Sequence, residues 1–452
     1  MGEKWKLLLV CVFVLLPTLM SACMSAEEHF EKGKTYFEEG QLEAAIAEYS
    51  QAIELDPDHA LAYNSRGIAY ARQERWDAAI ADYSKVIELD PNFAPAYGNR
   101  GVAYAKKERW DAAITDYSQA IKLKPDYPPN YFNRGIARDK KEQWDLAIAD
   151  YSKAMELNPN YPPTYYRRGA AFDKKGQWNL AIADYTKLIS DFPDAPLVAE
   201  ARTALPRCHY EWALSLFREG QYDQAIGKCN VVLSKYSGST YASKAEEKLN
   251  EYNLFDSARK HHQDKEYDAA ISEYKAFITQ YPESIFASGV SEALPQCYHE
   301  WASYLIQDKQ YGEGVRKYEI VVEDYPDSIW ASKEKAKKIC ELAMISGKQD
   351  ERKEATVVLA KACKSDVDEL LPYLQEKKTA IMYYALLKIG NPTTIEALKE
   401  ALNKFGYKDM AVDYLNCGNE ELESTAETWA HRHGYEVVTV SGYVPRTWGT
   451  GL

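Results

Sequence analysis

Thiols and imidazoles are the side chains with the sharpest potential chemistry in this sequence. Cys208-His209, and Cys297 with His299, bring together the donors of zinc and redox centres. On a helix, two ligands of one metal must share a face, at i, i+3 or i, i+4, whereas residues one or two apart diverge. His261-His262 and His431-Arg432-His433 miss that spacing as well. Cys208, Cys229, Cys297, Cys340, Cys363 and Cys417 contain no CxxC or CxxCH pair, so neither a zinc ribbon nor a haem attachment site is indicated. There is no GxSxG and no Gly-rich phosphate loop, and no two carboxylates stand apart as acid and base. The expectation is a protein without metal, cofactor or catalytic residues.

Charge narrows the partners. A formal net charge of −13 gives no basic footprint for nucleic acid. With 46% hydrophobic and 27% charged residues the chain reads as globular, and its 452 residues allow two or three domains.

The N-terminus carries another reactive group. Lys4 and Lys6 precede an apolar run from Leu7 to Leu16, and Ser21-Ala22 precede Cys23. A short positive region, a short apolar core and small residues describe an export signal over residues 1–22, too short for a spanning helix. Ser21-Ala22-Cys23 resembles the bacterial lipobox, with Met20 where that pattern usually has Leu. The resemblance implies lipidation at Cys23 and anchoring to a membrane of the cell envelope without spanning it. Cleavage near Ala22 or Ala26 as an ordinary signal is the other reading.

Everything between is organised by repetition. Gly33, Gly67, Gly101, Gly135 and Gly169 recur every 34 residues. So do Ala45, Ala79, Ala113, Ala147 and Ala181, and Pro57, Pro91, Pro125, Pro159 and Pro193. Such a period marks stacked helix–turn–helix units. In the second unit the pattern predicts a first helix over 60–72 and a second over 76–89, ended by Asp90-Pro91. The glycine and alanine are expected to be small because the two backbones approach there.

These ladders resemble the tetratricopeptide repeat closely. The resemblance implies an all-α, right-handed solenoid with five regular units over 26–195. From Ala195 the period lengthens, with Ala225, Ala270 and Gly314 spaced 44 to 45 residues apart. Leu205-Pro206-Arg207-Cys208 echoes Leu294-Pro295-Gln296-Cys297, and Tyr281-Pro-Glu-Ser-Ile285 echoes Tyr325-Pro-Asp-Ser-Ile329. The span 196–336 is similar to the longer units of periplasmic envelope-assembly lipoproteins. Over 337–434 the helical pattern, with Leu387-Lys-Ile389-Gly390-Asn391 echoed at Leu415-Asn-Cys417-Gly418-Asn419, resembles a short HEAT-like array. Residues 435–452 read as a short strand or a tail.

Two sets of residues follow from the repeat. Lys32, Arg66, Arg100, Arg134 and Arg168 precede the glycines, and Glu48, Asp82, Asp116, Asp150 and Asp184 lie in the second helices. Lys occurs with Glu and Arg with Asp. The trade in side-chain length predicts structural pairs, Arg66 with Asp82, Arg100 with Asp116, Arg134 with Asp150 and Arg168 with Asp184. In the tetratricopeptide fold the first helix lines a concave groove. The resemblance therefore places Asn64, Ile68, Arg72, Val102, Lys106, Phe132, Ile136, Lys140, Tyr166 and Lys174 in a peptide-binding surface with an apolar floor and a cationic edge. The implied function is an exported, lipid-anchored scaffold for proteins or peptides. Two further readings are a structural part of an envelope assembly complex, docked by its longer repeats, and an enzyme or enzyme accessory acting through the HEAT-like end.

Overall fold

A computed structural model describes residues 24–343, 346, 348–362, 392–406, 408–415, 417, 419–435, 437–438 and 447–448. The signal segment, Cys23, Cys363 and the Leu387–Asn391 half of the HEAT-like echo lie outside the described residues. Among the described residues, apart from one pair of two-residue strands, Val437–Val438 against Thr447–Trp448, the fold is helical. Consecutive helices pack in pairs, as a helix–turn–helix solenoid requires. Among the described residues no helix is long and apolar enough to cross a membrane. The chain forms two compact units, one ending at Glu246 and the other beginning at Glu247.

The first unit opens with five helix pairs: Ala26–Glu38 with Leu42–Leu55, Ala60–Arg72 with Trp76–Leu89, Ala94–Lys106 with Trp110–Leu123, Pro128–Lys140 with Trp144–Leu157, and Pro162–Lys174 with Trp178–Asp191. The sequence signals explain the boundaries. Ser25 and Glu28 make a capping box on the first helix, satisfying two backbone donors reciprocally. The first helices of the third, fourth and fifth pairs carry Pro at their opening positions, where no intrahelical donor is needed. Between the paired helices the chain turns through one left-handed residue, Gly40, Glu74, Glu108, Glu142 or Gly176. The three glutamates there accept a conformation that costs a non-glycine residue about 1–2 kcal/mol.

The core of each pair is a tyrosine. Tyr49, Tyr83, Tyr117, Tyr151 and Tyr185 are at most 2% exposed, and Ala45, Ala79, Ala113, Ala147 and Ala181 are fully buried. A methyl placed on Gly67 would lie 2.8 Å from the Tyr83 ring, and one on Gly135 would lie 2.6 Å from Tyr151. The repeated glycine is thus small because an aromatic ring from the second helix fills its place. The expected close approach of backbones is not the cause.

Beyond the fifth pair the extra residues lengthen the first helix. Val198–Arg218 has 21 residues where the regular units have 13, and pairs with Tyr222–Lys235. The helix Thr240–Gln263 runs across the boundary between the units.

In the second unit, Tyr267–Gln280, Ala287–Gln307, Tyr311–Asp324, Lys333–Ala343 and Gln349–Ala362 follow, with a 3-10 turn at Ile329–Ala331. Further on lie Pro392–Phe405, Lys408–Leu415 and Glu420–Arg432, the last capped by the Asn419 side chain.

Candidate functional site

The charged ladder holds neighbouring helices together. Arg66 donates from Nε and Nη2 to the two carboxylate oxygens of Asp82 at 2.9 and 2.8 Å, and from Nη1 to Ser50 Oγ at 3.0 Å. Asp82 belongs to the same repeat and Ser50 to the one before, so one guanidinium staples three helices. Arg100 repeats this with Asp116 and Ser84, Arg134 with Asp150 and Ser118, and Arg168 with Asp184 and Ser152. A planar guanidinium matched to a carboxylate by two parallel bonds is the strong form of ion pair. The four aspartates are 3–5% exposed. The Asp116 and Asp184 carboxylates hold Arg100 and Arg168 above the ordinary range of the guanidinium. In the first unit Lys32 meets Glu48 at 2.6 Å. Arg138 occupies a column that elsewhere holds Tyr or Phe and adds a second cation on Asp150, at 2.7 Å. These arginines are committed to the frame.

The serines were not visible as functional positions. Ser50, Ser84, Ser118 and Ser152 recur with the repeat, but a helical serine among polar neighbours carries no signal until the cation that reaches it is placed.

On the first-helix face the ten groove residues divide by burial. Asn64, Ile68, Val102, Phe132, Ile136 and Tyr166 are half-buried, and Arg72, Lys106, Lys140 and Lys174 are exposed. Several take part in packing. Phe132 lies 5.9 Å from the Tyr151 ring and 5.1 Å from Tyr161, and Tyr166 lies 5.8 Å from Tyr185. Val102 and Ile136 pack against buried clusters around Tyr117 and Tyr151. Arg72 sits 4.1 Å above the Phe37 ring.

Two hollows open on this face. The first, of about 290 Å³, lies where the third unit has Gly98 in the column occupied by Asn64, Phe132 and Tyr166. Val102 lines it together with Asn99, Asn130 and Asn133. Asn130 is 6% exposed, and its Oδ1 would lie 3.0 Å from a methyl placed on Gly98. Asn99 reaches Asn64 Oδ1 at 3.5 Å. The second hollow, of about 300 Å³, shares Pro129 and Asn133 with the first and is walled by Phe132, Tyr161 and Thr164. Thr164 is fully buried and its hydroxyl has no partner. An amide-lined recess beside an aromatic one can take a main-chain segment and one of its apolar side chains. Asn99 and Asn133 share the column just before the arginines, with Ser65 and Arg167 in the neighbouring units, and that variability was the available signal for them.

The thiols and imidazoles have become interior groups. Cys208 and Cys297 are fully buried, and burial pushes both thiols up to about 12. Burial pushes His209 and His299 down to about 4. Among the described residues no group of three His, Cys, Asp or Glu side chains is placed to hold a metal ion. His433 stacks on Trp429, ring centroids 4.1 Å apart.

Family models match the repeats between residues 33 and 239. A family model described as TPR repeat matches residues 33–74 and 137–176. Two models described as tetratricopeptide repeat match 60–93 and 94–127, and 164–195 and 207–239. A crystal structure of MamA protein is 25% identical over 36% of this chain and 90% of its own, with a TM-score of 0.36. YrrB, titled a TPR protein with an unusual peptide-binding site, is 21% identical over 41% of this chain and 96% of its own, with a TM-score of 0.38. Pseudomonas aeruginosa pilF is 18% identical over 49% and 97%, with a TM-score of 0.35. No curated protein sequence matches the chain significantly.

Proposed function

This chain carries tetratricopeptide repeats, the fold of protein-interaction scaffolds, and from that premise we propose that it is an exported, lipid-anchored scaffold of the bacterial cell envelope that binds a partner protein along its first-helix face. The observation that carries the binding half is the pair of adjoining hollows between Gly98 and Thr164, with the buried hydroxyl of Thr164 left without a partner. A folded chain gains nothing from burying polar groups unsatisfied, at a cost of about 1–3 kcal/mol each. A bound main chain would supply the bond that Thr164 lacks. An extended segment fits best, its amides meeting Asn99, Asn130 and Asn133 and one apolar side chain entering beside Phe132. Lys106 and Lys140, exposed at the ends of their helices, would favour acidic groups on that segment. The arginines beside the groove contribute rigidity, since their donors are already engaged.

The anchoring half rests on Lys4, Lys6, the apolar run to Leu16 and Ser21-Ala22-Cys23. One preparation tests both halves: the protein is crosslinked to its partners in its own cells and purified as wild type and as Asn99→Ala/Asn133→Ala. The double variant, whose positions are partly exposed, is expected to keep its thermal melt and lose at least about ten-fold of the captured partner. Undiminished capture would remove the groove assignment. Mass spectrometry of the mature N-terminus is expected to show diacylglyceryl on Cys23, and an unmodified N-terminus at or beyond Cys23 would make the protein exported but unanchored.

A further inference from the structure

A larger hollow, of about 860 Å³, lies in the second unit. It opens between the helix Ala287–Gln307 and the segment Tyr325-Pro-Asp-Ser-Ile329-Trp330. The repeat supplies its own control. One repeat earlier the matching segment is Tyr281-Pro-Glu-Ser-Ile285-Phe286, and there the last side chain packs inward. Phe286 is 6% exposed, stacks on Phe255 with centroids 4.8 Å apart, and lies 6.0 Å from Tyr252. Ser284 donates its hydroxyl to the buried carboxylate of Glu251.

Forty-four residues on, every partner has changed. Phe286 is replaced by Trp330, Phe255 by His299, Tyr252 by Gln296 and Glu251 by Pro295. The Pro295 side chain offers no acceptor, and Ser328 instead accepts from the Ala331 amide at 3.2 Å. Ile285 is 38% exposed, and its counterpart Ile329 is 75% exposed. His299 lies 5.0 Å from the Trp330 ring, is 8% exposed, and neither of its ring nitrogens has a hydrogen-bond partner. An isoleucine left in water forgoes the gain of burial. An imidazole buried without partners adds a desolvation penalty. The preceding repeat exposes its isoleucine half as much and has Phe255 in place of the imidazole, so the fold requires neither feature.

The hollow is also acidic. Glu292, Asp324 and Asp327 line it, and none forms a salt bridge among the described residues. The cations that face it are Lys275, whose field reaches Tyr325 and Asp324, and Lys335, whose ammonium sits 4.9 Å from the Trp330 ring centroid. We propose that this hollow is a second docking site, separate from the first-helix groove, for a segment of a partner protein that presents an aromatic or aliphatic side chain beside Lys or Arg. The apolar side chain covers Ile329 and the edge of Trp330. The flanking cation is held by Glu292, Asp324 and Asp327.

The test uses the whole chain and three fluorescein-labelled decapeptides in a Gly-Ser context, centred on Lys-Phe-Lys, Glu-Phe-Glu and Lys-Ala-Lys, read by anisotropy. Lys-Phe-Lys is expected to bind at least about ten-fold more tightly than either control. Ile329→Asp should abolish that binding, and Asp324→Asn/Asp327→Asn should weaken it and flatten its salt dependence. Asn99→Ala/Asn133→Ala should leave it unchanged, which separates failure here from failure of the groove. Equal binding of the three peptides, no binding of any, or normal binding by Ile329→Asp would overturn the proposal. Concentration-dependent self-association lost in Ile329→Asp would also overturn it, by giving the surface to a second copy of the chain.

Discussion

Replacing Arg100 by alanine is expected to destabilise the first unit by about 3–5 kcal/mol, the cost of stranding a buried partner charge. Asp116 is 4% exposed and receives both of its short bonds, at 2.7 and 2.8 Å, from this guanidinium. The same substitution frees Ser84 in the preceding repeat. Two controls make the argument specific. Arg100→Leu combined with Asp116→Leu removes both charges and should recover most of the loss, because a buried ion pair is worth little against apolar residues of similar volume. Lys107→Ala breaks a pair with Asp77, whose side chain is 83% exposed, and should change stability by no more than about 0.5 kcal/mol. Urea unfolding followed by circular dichroism reads all three. In a chain of nearest-neighbour repeats the loss should also appear as an earlier, separate transition. Equal midpoints for Arg100→Ala and Lys107→Ala would show that the clamp is not what joins the units.

The second large effect belongs to Tyr151. Tyr151→Ala removes a fully buried ring against which Phe132 packs, and should cost about 3–5 kcal/mol. Tyr151→Phe should behave oppositely. The Tyr151 hydroxyl is buried with no hydrogen-bond partner, so its removal should be neutral or stabilise by up to about 1 kcal/mol. Thermal melts of the two variants decide the point. A Tyr151→Phe variant destabilised by as much as the alanine would mean that the hydroxyl is bonded in solution.

What the sequence revealed, and what it hid, follows from how local each signal is. The glycine, alanine and proline ladders set the period, and the helices Ala60–Arg72 and Trp76–Leu89 fall where the pattern of the second unit places them. The exchange of Lys–Glu for Arg–Asp indicated touching side chains because internal repeats act as a small alignment, and the structure joins those side chains. The reason for the glycines was misread, since the ring that fills the space comes from a residue 16 positions away. The left-handed glutamates Glu74, Glu108 and Glu142 escaped notice because nothing in their type marks a positive φ.

The binding features were the least legible. Gly98 was readable as a gap in a column, but the hollow it opens depends on Asn130 and Asn133 from the next helix. The cavity beside Ile329 requires coordinated changes at Pro295, Gln296, His299 and Trp330 on two elements. No single position announces it, and only a map of which residues touch brings the four together.

The central claim is that partners are held on the first-helix face, and position-resolved photocrosslinking in cells addresses it directly. A photoreactive residue is placed at Val102 or Asn133 on that face, or at Glu88 or Thr115, exposed on second helices. The account predicts adducts to the same partner from Val102 and Asn133 and none from Glu88 or Thr115. Adducts from Glu88 or Thr115 with none from Val102 and Asn133 would contradict it.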